Sequence, residues 1–217
     1  MLGSKRIFGK QNIVTVMAYT DFTLERLETE FGLRNRQEQI FTKILPIQPS
    51  PWLSRELQLA EGLPLRTEKA RSEWIVAPIL KELREQNDHF FTIYSGENLS
   101  ADSSLGLNGE CDFVLAKDIQ TFNLNYPIIS IVEAKKHDLE IGVPQCAAQL
   151  LGARIFNEKK GVHLEKLYGC VTTGRDWLFM VLEKDLQIDQ DIYYLNEVDV
   201  LLGIFTQIIS YYRTVLP

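Results

Sequence analysis

The residues of this 217-residue chain best suited to chemistry sit at the end of one apolar run, Ile128-Ile129-Ser130-Ile131-Val132-Glu133-Ala134-Lys135. A run this apolar predicts an inner strand covered on both faces. Side chains alternate along a strand, so Glu133 and Lys135 share a face with Ile129 and Ile131. Burying a carboxylate there is costly unless it is paired or bound to a metal. Two readings stand. The strand ends at Val132 and Glu133 and Lys135 are a solvated pair, or a buried acid lies beside a positioned cation. A second acid, Asp112 in Gly109-Glu110-Cys111-Asp112-Phe113-Val114, opens another apolar strand 21 residues earlier. Adjacent strands can bring Asp112 beside Glu133. Two carboxylates with a strand carbonyl between them make an oxygen-rich pocket that suits Mg²⁺ or Mn²⁺. An ammonium at Lys135 would orient an attacking water or neutralise charge developing on a phosphate.

The elements that must position these residues follow from patterning. Thr67 to Gln86 reads as a helix with the stripe Val76, Ile79, Leu80 and Leu83, kinked at Pro78. Phe90 to Tyr94 reads as a strand stopping at Ser95-Gly96. Glu110 to Ala116 and Ile128 to Lys135 are the next two strands. Val143 to Asn157 is a helix whose Ala147, Ala148, Gly152 and Ala153 allow close approach to a sheet. Leu167 to Thr173 and Trp177 to Glu183 are strands joined at Thr173-Gly174, a hairpin signal. The last helix, Asn196 to Thr214, carries the stripe Val198, Leu201, Leu202, Phe205, Ile208, Ile209 and Tyr212, which serves packing or a twofold contact. Upstream, Ile13 to Tyr19 reads as a strand. Leu24 to Phe31 is a helix closed by Gly32, and Ser50-Pro51 opens one that Gly62 closes. Pro46 to Pro51 is linker-like. The expected organisation is an N-terminal extension, residues 1–65, packed on a main domain of residues 66–217.

Asp112 followed by Glu133-Ala134-Lys135 at the end of a hydrophobic strand, within an α-β-β-β-α-β order, resembles the PD-(D/E)XK nuclease superfamily. The resemblance covers roughly residues 67–183. It implies an α/β, restriction-endonuclease-like fold with a mixed central sheet, here with the N-terminal extension and a C-terminal helix added. It implies a Mg²⁺-dependent (or Mn²⁺-dependent) nuclease that hydrolyses DNA phosphodiester bonds by metal-activated water and leaves 5′-phosphates. Asp112, Glu133 and the Ala134 carbonyl would hold the metal, and Lys135 would position the water. Many members carry a Glu on the first core helix, and Glu73 stands there. On a regular helix, at about 100° per residue, Glu73 aligns with Leu80 and flanks the buried stripe. It either orders water or metal from the helix side or favours the helix dipole. Some members place a Gln on the helix after the E-x-K strand. Gln145 and Gln149 are the candidates, as site residues or as surface amides. No Tyr follows either by four residues, and Cys111 stands where the name-giving motif has Pro.

Composition narrows the alternatives. The net charge of -6 excludes a generic nucleic-acid coat held by bulk charge. Residues 1–72 carry 11 Lys/Arg against 8 Asp/Glu, and residues 73–217 carry 12 against 21, so the front is weakly basic. Cys111, Cys146 and Cys170 lie far apart with no C-x-x-C, as expected in a reducing cytoplasm. His89, His137 and His163 are too widely spaced for a local metal motif, and neither common nucleotide-binding fingerprint occurs. Thr15 interrupts the apolar heptad that follows Lys5, Arg6 and Lys10, and no small-residue cleavage site follows, so a signal peptide is not expected. No apolar run approaches the length of a membrane span. The expected partners are DNA and a possible second copy of the chain. Two rivals remain: a catalytically silent domain of the same fold that binds nucleic acid or a protein, and a metal-dependent hydrolase of a small phosphoester. Glu110, Lys136 and His137 flank the candidate site and read more simply as exposed or loop residues.

Overall fold

The protein is described by a computed structural model covering residues 17–117 and 121–216. Its strands are β1 (Asn35–Glu38), β2 (Phe91–Asn98), β3 (Glu110–Lys117), β4 (Ile128–Ala134), β5 (Leu167–Thr172), β6 (Asp176–Leu182) and β7 (Leu186–Tyr194). They form one seven-stranded mixed sheet in the order β1-β7-β6-β5-β4-β3-β2. β4 pairs parallel with β5 and β1 parallel with β7, and the other pairings are antiparallel. Every residue of β4 is buried, as its composition requires of an inner strand.

The helices start and stop for local reasons. α1 (Leu24–Phe31) is capped by Thr23, which accepts the Arg26 N–H at 3.1 Å, and ends at Gly32 with φ 68°. α2 (Pro51–Ala60) is capped by Ser50, with Pro51 at the first position. The first core helix begins under a Thr67 cap as α3 (Glu68–Arg71), widens into a π turn over Ser72–Val76, and continues as α4 (Ala77–Gln86). Pro78 explains the wide turn. It has no N–H for the carbonyl four residues back, and its ring needs room there. The Ala77 N–H reaches the Ser72 carbonyl instead. The expected kink is therefore taken up as a π turn.

α5 (Leu139–Lys159) and α6 (Val198–Val215) cover opposite faces of the sheet. Neighbouring residues of β5 show this. Gly169 approaches Cys146 and Leu150 of α5, whereas the Tyr168 ring meets Tyr211 and Tyr212 of α6. The α6 stripe from Leu201 to Tyr212 is buried within the chain, with Phe205 against Trp177 and Phe179, so this stripe packs the sheet.

Several elements differ from expectation. β2 runs through Ser95-Gly96 to Asn98, because the β3 partner continues to Glu110. α5 starts four residues earlier than expected, under an Asp138 cap, and accommodates Pro144 near its N-terminus. β1 and β7 were not expected. The expected strand Ile13–Tyr19 lies outside the described residues up to Val16, and its end, Tyr19, opens a 3₁₀ turn over Tyr19–Asp21. That tyrosine lies on Gly152, where a Cβ would sit 2.1 Å from its hydroxyl. Tyr19, Phe22, Leu27, Leu33, Phe41 and Leu53 belong to the same hydrophobic cluster as the sheet, so residues 18–65 help build the core. Among the described residues, no helix is long and apolar enough to cross a membrane.

Candidate active site

The last registered pair between β3 and β4 is Phe113 with Val132. Just beyond it, the Asp112 carboxylate accepts the Ala134 N–H at 2.7 Å, a bond a neighbouring strand would otherwise make. β4 ends there, and three successive amides hand over to different acceptors. Ala134 donates to Asp112, Lys135 to the Thr172 carbonyl at 2.7 Å, and Lys136 to Glu68 Oε1 at 3.1 Å.

Glu133 sits inside this turn, only 2% exposed. Its Oε1 accepts from Lys135 Nζ at 2.7 Å and from Gln145 Nε2 at 2.5 Å, and its Oε2 accepts from Gln149 Nε2 at 2.8 Å. Lys135 Nζ also donates to Gln145 Oε1 at 3.0 Å. The two glutamines are one turn apart on α5, so one helix face supplies both amides. Both belong to the cluster and neither is an idle surface amide. Gln149 Oε1 is buried without a hydrogen-bond partner.

The electrostatics are unbalanced. Burial, then the charge of Asp112, pushes the Glu133 carboxyl up to about 7, against the pull of Lys135 and Gln149. Burial also raises Asp112, opposed by the Ala134 N–H and Lys135. Burial alone would lower the Lys135 ammonium, but Glu133, Asp112 and Glu68 outweigh it and hold it above its ordinary value. One ammonium therefore faces three carboxylates.

The helix acid is the main correction. Glu73 points to solvent, its side chain 53% exposed, and pairs with Lys69 at 3.8 Å. Glu68, five residues earlier, is the acid that reaches the site, through Lys136 N–H and the field it exerts on Asp112 and Lys135. Inside a π turn, a wheel drawn for an α-helix misplaces residues. The only sequence signal for Glu68 was its place just after a helix cap, which marks any first-turn acid. Arg71 was missed altogether. Its guanidinium donates to the carbonyls of Leu65, Lys136 and Thr173. Glu110, Lys136 and His137 are exposed.

Among the described residues, no group of three or more His, Cys, Asp or Glu side chains is arranged to hold a metal by itself. No family model, curated protein or solved structure matches this chain.

Proposed function

We propose that this chain is a divalent-metal-dependent nuclease that hydrolyses DNA phosphodiester bonds, built on a restriction-endonuclease-like core. The observation that carries the reading is the convergence of Asp112, Glu133 and Lys135, with Gln145 and Gln149, at the end of an inner strand. The run from α3 through β5 supports it, because it follows the order α-β-β-β-α-β with β4 and β5 parallel.

The residues fit a hard divalent cation. Burial, together with the charge of Asp112 on Glu133 and of Glu68 on Asp112, raises both carboxyls, and a bound cation would favour their charged forms. Asp112, Glu133 and the Ala134 carbonyl would supply an all-oxygen donor set, the kind Mg²⁺ or Mn²⁺ takes. When bound, such an ion would lower the pKa of a water and offset charge on a phosphate. The side chains do the rest. Gln145 and Gln149 fix the orientation of Glu133, and the Ala134 N–H fixes Asp112. Lys135 stays protonated beside them, where it positions the attacking water and balances charge gathering on phosphate oxygens. Glu68 extends the acidic wall from the helix side.

The test is cleavage of supercoiled, linear and single-stranded DNA with Mg²⁺, Mn²⁺ or chelator. Metal-dependent cleavage lost in Lys135→Ala supports the reading. If all substrates stay intact with both metals, a silent domain binding nucleic acid or protein becomes the better reading. One observation already favours that rival: both Glu133 oxygens accept bonds from protein donors.

A further inference from the structure

We infer that Arg71 is the positioning residue for Lys135, fixing from the first core helix the stretch of backbone that carries the ammonium. The geometry stands without the nuclease reading; the effect on catalysis rests on it. Arg71 is the last residue of α3, at the mouth of the π turn. Its Nε donates to the Leu65 carbonyl at 3.1 Å, and its Nη1 to the Thr173 carbonyl at 3.0 Å and to the Lys136 carbonyl. One guanidinium thus joins the lead-in to the helix, the β5–β6 hairpin and the β4–α5 connection.

These carbonyls are not incidental to Lys135. Its own N–H donates to Thr172, one residue before Thr173. The N–H of Lys136 donates to Glu68, one turn before Arg71 on the same helix. Both backbone polar groups of Lys136 are therefore tied to α3, one residue past the last bond to β5. The hairpin is held close to the same helix. Gly174, with φ 81°, lies where a Cβ would come within 3.4 Å of Arg71 Cβ and 3.3 Å of Ile75 Cδ1. A guanidinium suits the task because its planar fork presents donors in several fixed directions. A lysine ammonium is a point charge on a flexible stem. Misplacing a reacting group by an ångström costs rate far more than binding.

The experiment uses the full chain, with Arg71→Lys and Arg71→Ala beside wild type. Amide hydrogen exchange reads Lys135, Lys136 and, as an internal control, Val132. Steady-state DNA cleavage with Mn²⁺ and the Mn²⁺-induced rise in Tm are read in parallel. In Arg71→Lys we expect faster exchange at Lys135 and Lys136 only, and kcat lower by about 10- to 100-fold with KM little changed. The Mn²⁺-induced rise in Tm should persist, because both carboxylates remain. Unchanged exchange at Lys135 and Lys136 overturns the clamp. Faster exchange with unchanged kcat, or a lower Tm alone, reduces Arg71 to a structural staple and overturns the positioning role. If wild type cleaves no DNA, the nuclease reading has failed, and the exchange data still decide the clamp. If Arg71→Ala does not fold, Arg71→Lys carries the test.

Discussion

Two glutamates lie at nearly the same depth in this chain, Glu82 at 3% exposure and Glu133 at 2%. Each accepts three hydrogen bonds. Glu82 takes the Ser50 N–H and Gln86 Nε2 on Oε1 and the Ser50 hydroxyl on Oε2, all at 2.8 Å. Those donors are neutral and come from the cap of α2 and from α4 itself, so the carboxylate ties two helices together. Glu133 is as well bonded, yet one donor is an ammonium and a second carboxylate lies against it. Depth and bond count do not separate the two glutamates. What differs is the setting: Glu133 shares its pocket with an ammonium and a second carboxylate, and the proposed function places its chemistry there.

The largest expected contrast is in activity. On the nuclease reading, Glu133→Gln and Lys135→Ala should each lower DNA cleavage by about 100-fold or more, the scale of losing one charge-stabilising group. Lys135→Ala should keep its Mn²⁺-induced rise in Tm, and Glu133→Gln should lose it. Glu82→Gln should do the reverse, leaving kcat alone while losing about 1–3 kcal/mol of stability as Ser50 and Gln86 lose their ionic acceptor. Denaturant melts beside cleavage assays check both. Equal loss of kcat in Glu82→Gln and Glu133→Gln would break the contrast.

A smaller effect sharpens it from the packing side. A Cβ on Gly142 would lie 2.4 Å from Val171 Cγ1 and 3.0 Å from Lys135 Cγ. Gly142→Ala must therefore push Lys135 or part α5 from β5, at an expected cost of about 1–3 kcal/mol. Where the Lys135 stem gives way, cleavage should fall about tenfold on the nuclease reading, because that stem carries the ammonium. A variant as active as wild type but less stable would show that the Lys135 stem has slack.

How much of this was legible in the sequence depended on whether burial left a pattern. β3, β4 and the β5–β6 hairpin could be read because their apolar runs are long, and Asp112, Glu133 and Lys135 stand out as charges at the edge of those runs. Gln145 and Gln149 could be placed on one face because α5 is regular. β1 left no trace: all four of its residues are exposed, so nothing alternates. β7 hid because Asp189, Gln190 and Asp191 interrupt its apolar residues and resemble a loop, although Asp189 is buried and bonded to Ile40 N–H, Asp191 N–H and the Tyr193 hydroxyl. Glu73 was misplaced because a wheel at constant pitch cannot foresee the turn that Pro78 forces. Arg71 was invisible because its partners are carbonyls from distant segments, which have no signature in residue type.

The last expected effect is the pH dependence of stability, and it tests the raised Glu133 carboxyl directly. The Glu133 carboxyl is raised from its ordinary 4.5 to about 7 in the folded chain. Between those values the folded state holds a proton that the unfolded state has released. Stability from this group must then fall as pH rises from about 4.5 to about 7, and level off above. Asp112 is also raised, so it adds to the same slope. On the proposed reading a divalent cation would replace the proton as the balancing charge. Mg²⁺ should therefore raise Tm more at pH 8 than at pH 5, because at pH 5 it must first displace the proton. Glu133→Gln cannot release that proton, so its Tm should vary less with pH across this window in chelator and respond little to Mg²⁺. Thermal melts of both proteins at pH 5, 6, 7 and 8, with and without Mg²⁺, measure the difference. Identical profiles would mean that Glu133 does not hold the extra proton of the folded chain, and the metal reading would lose its electrostatic support.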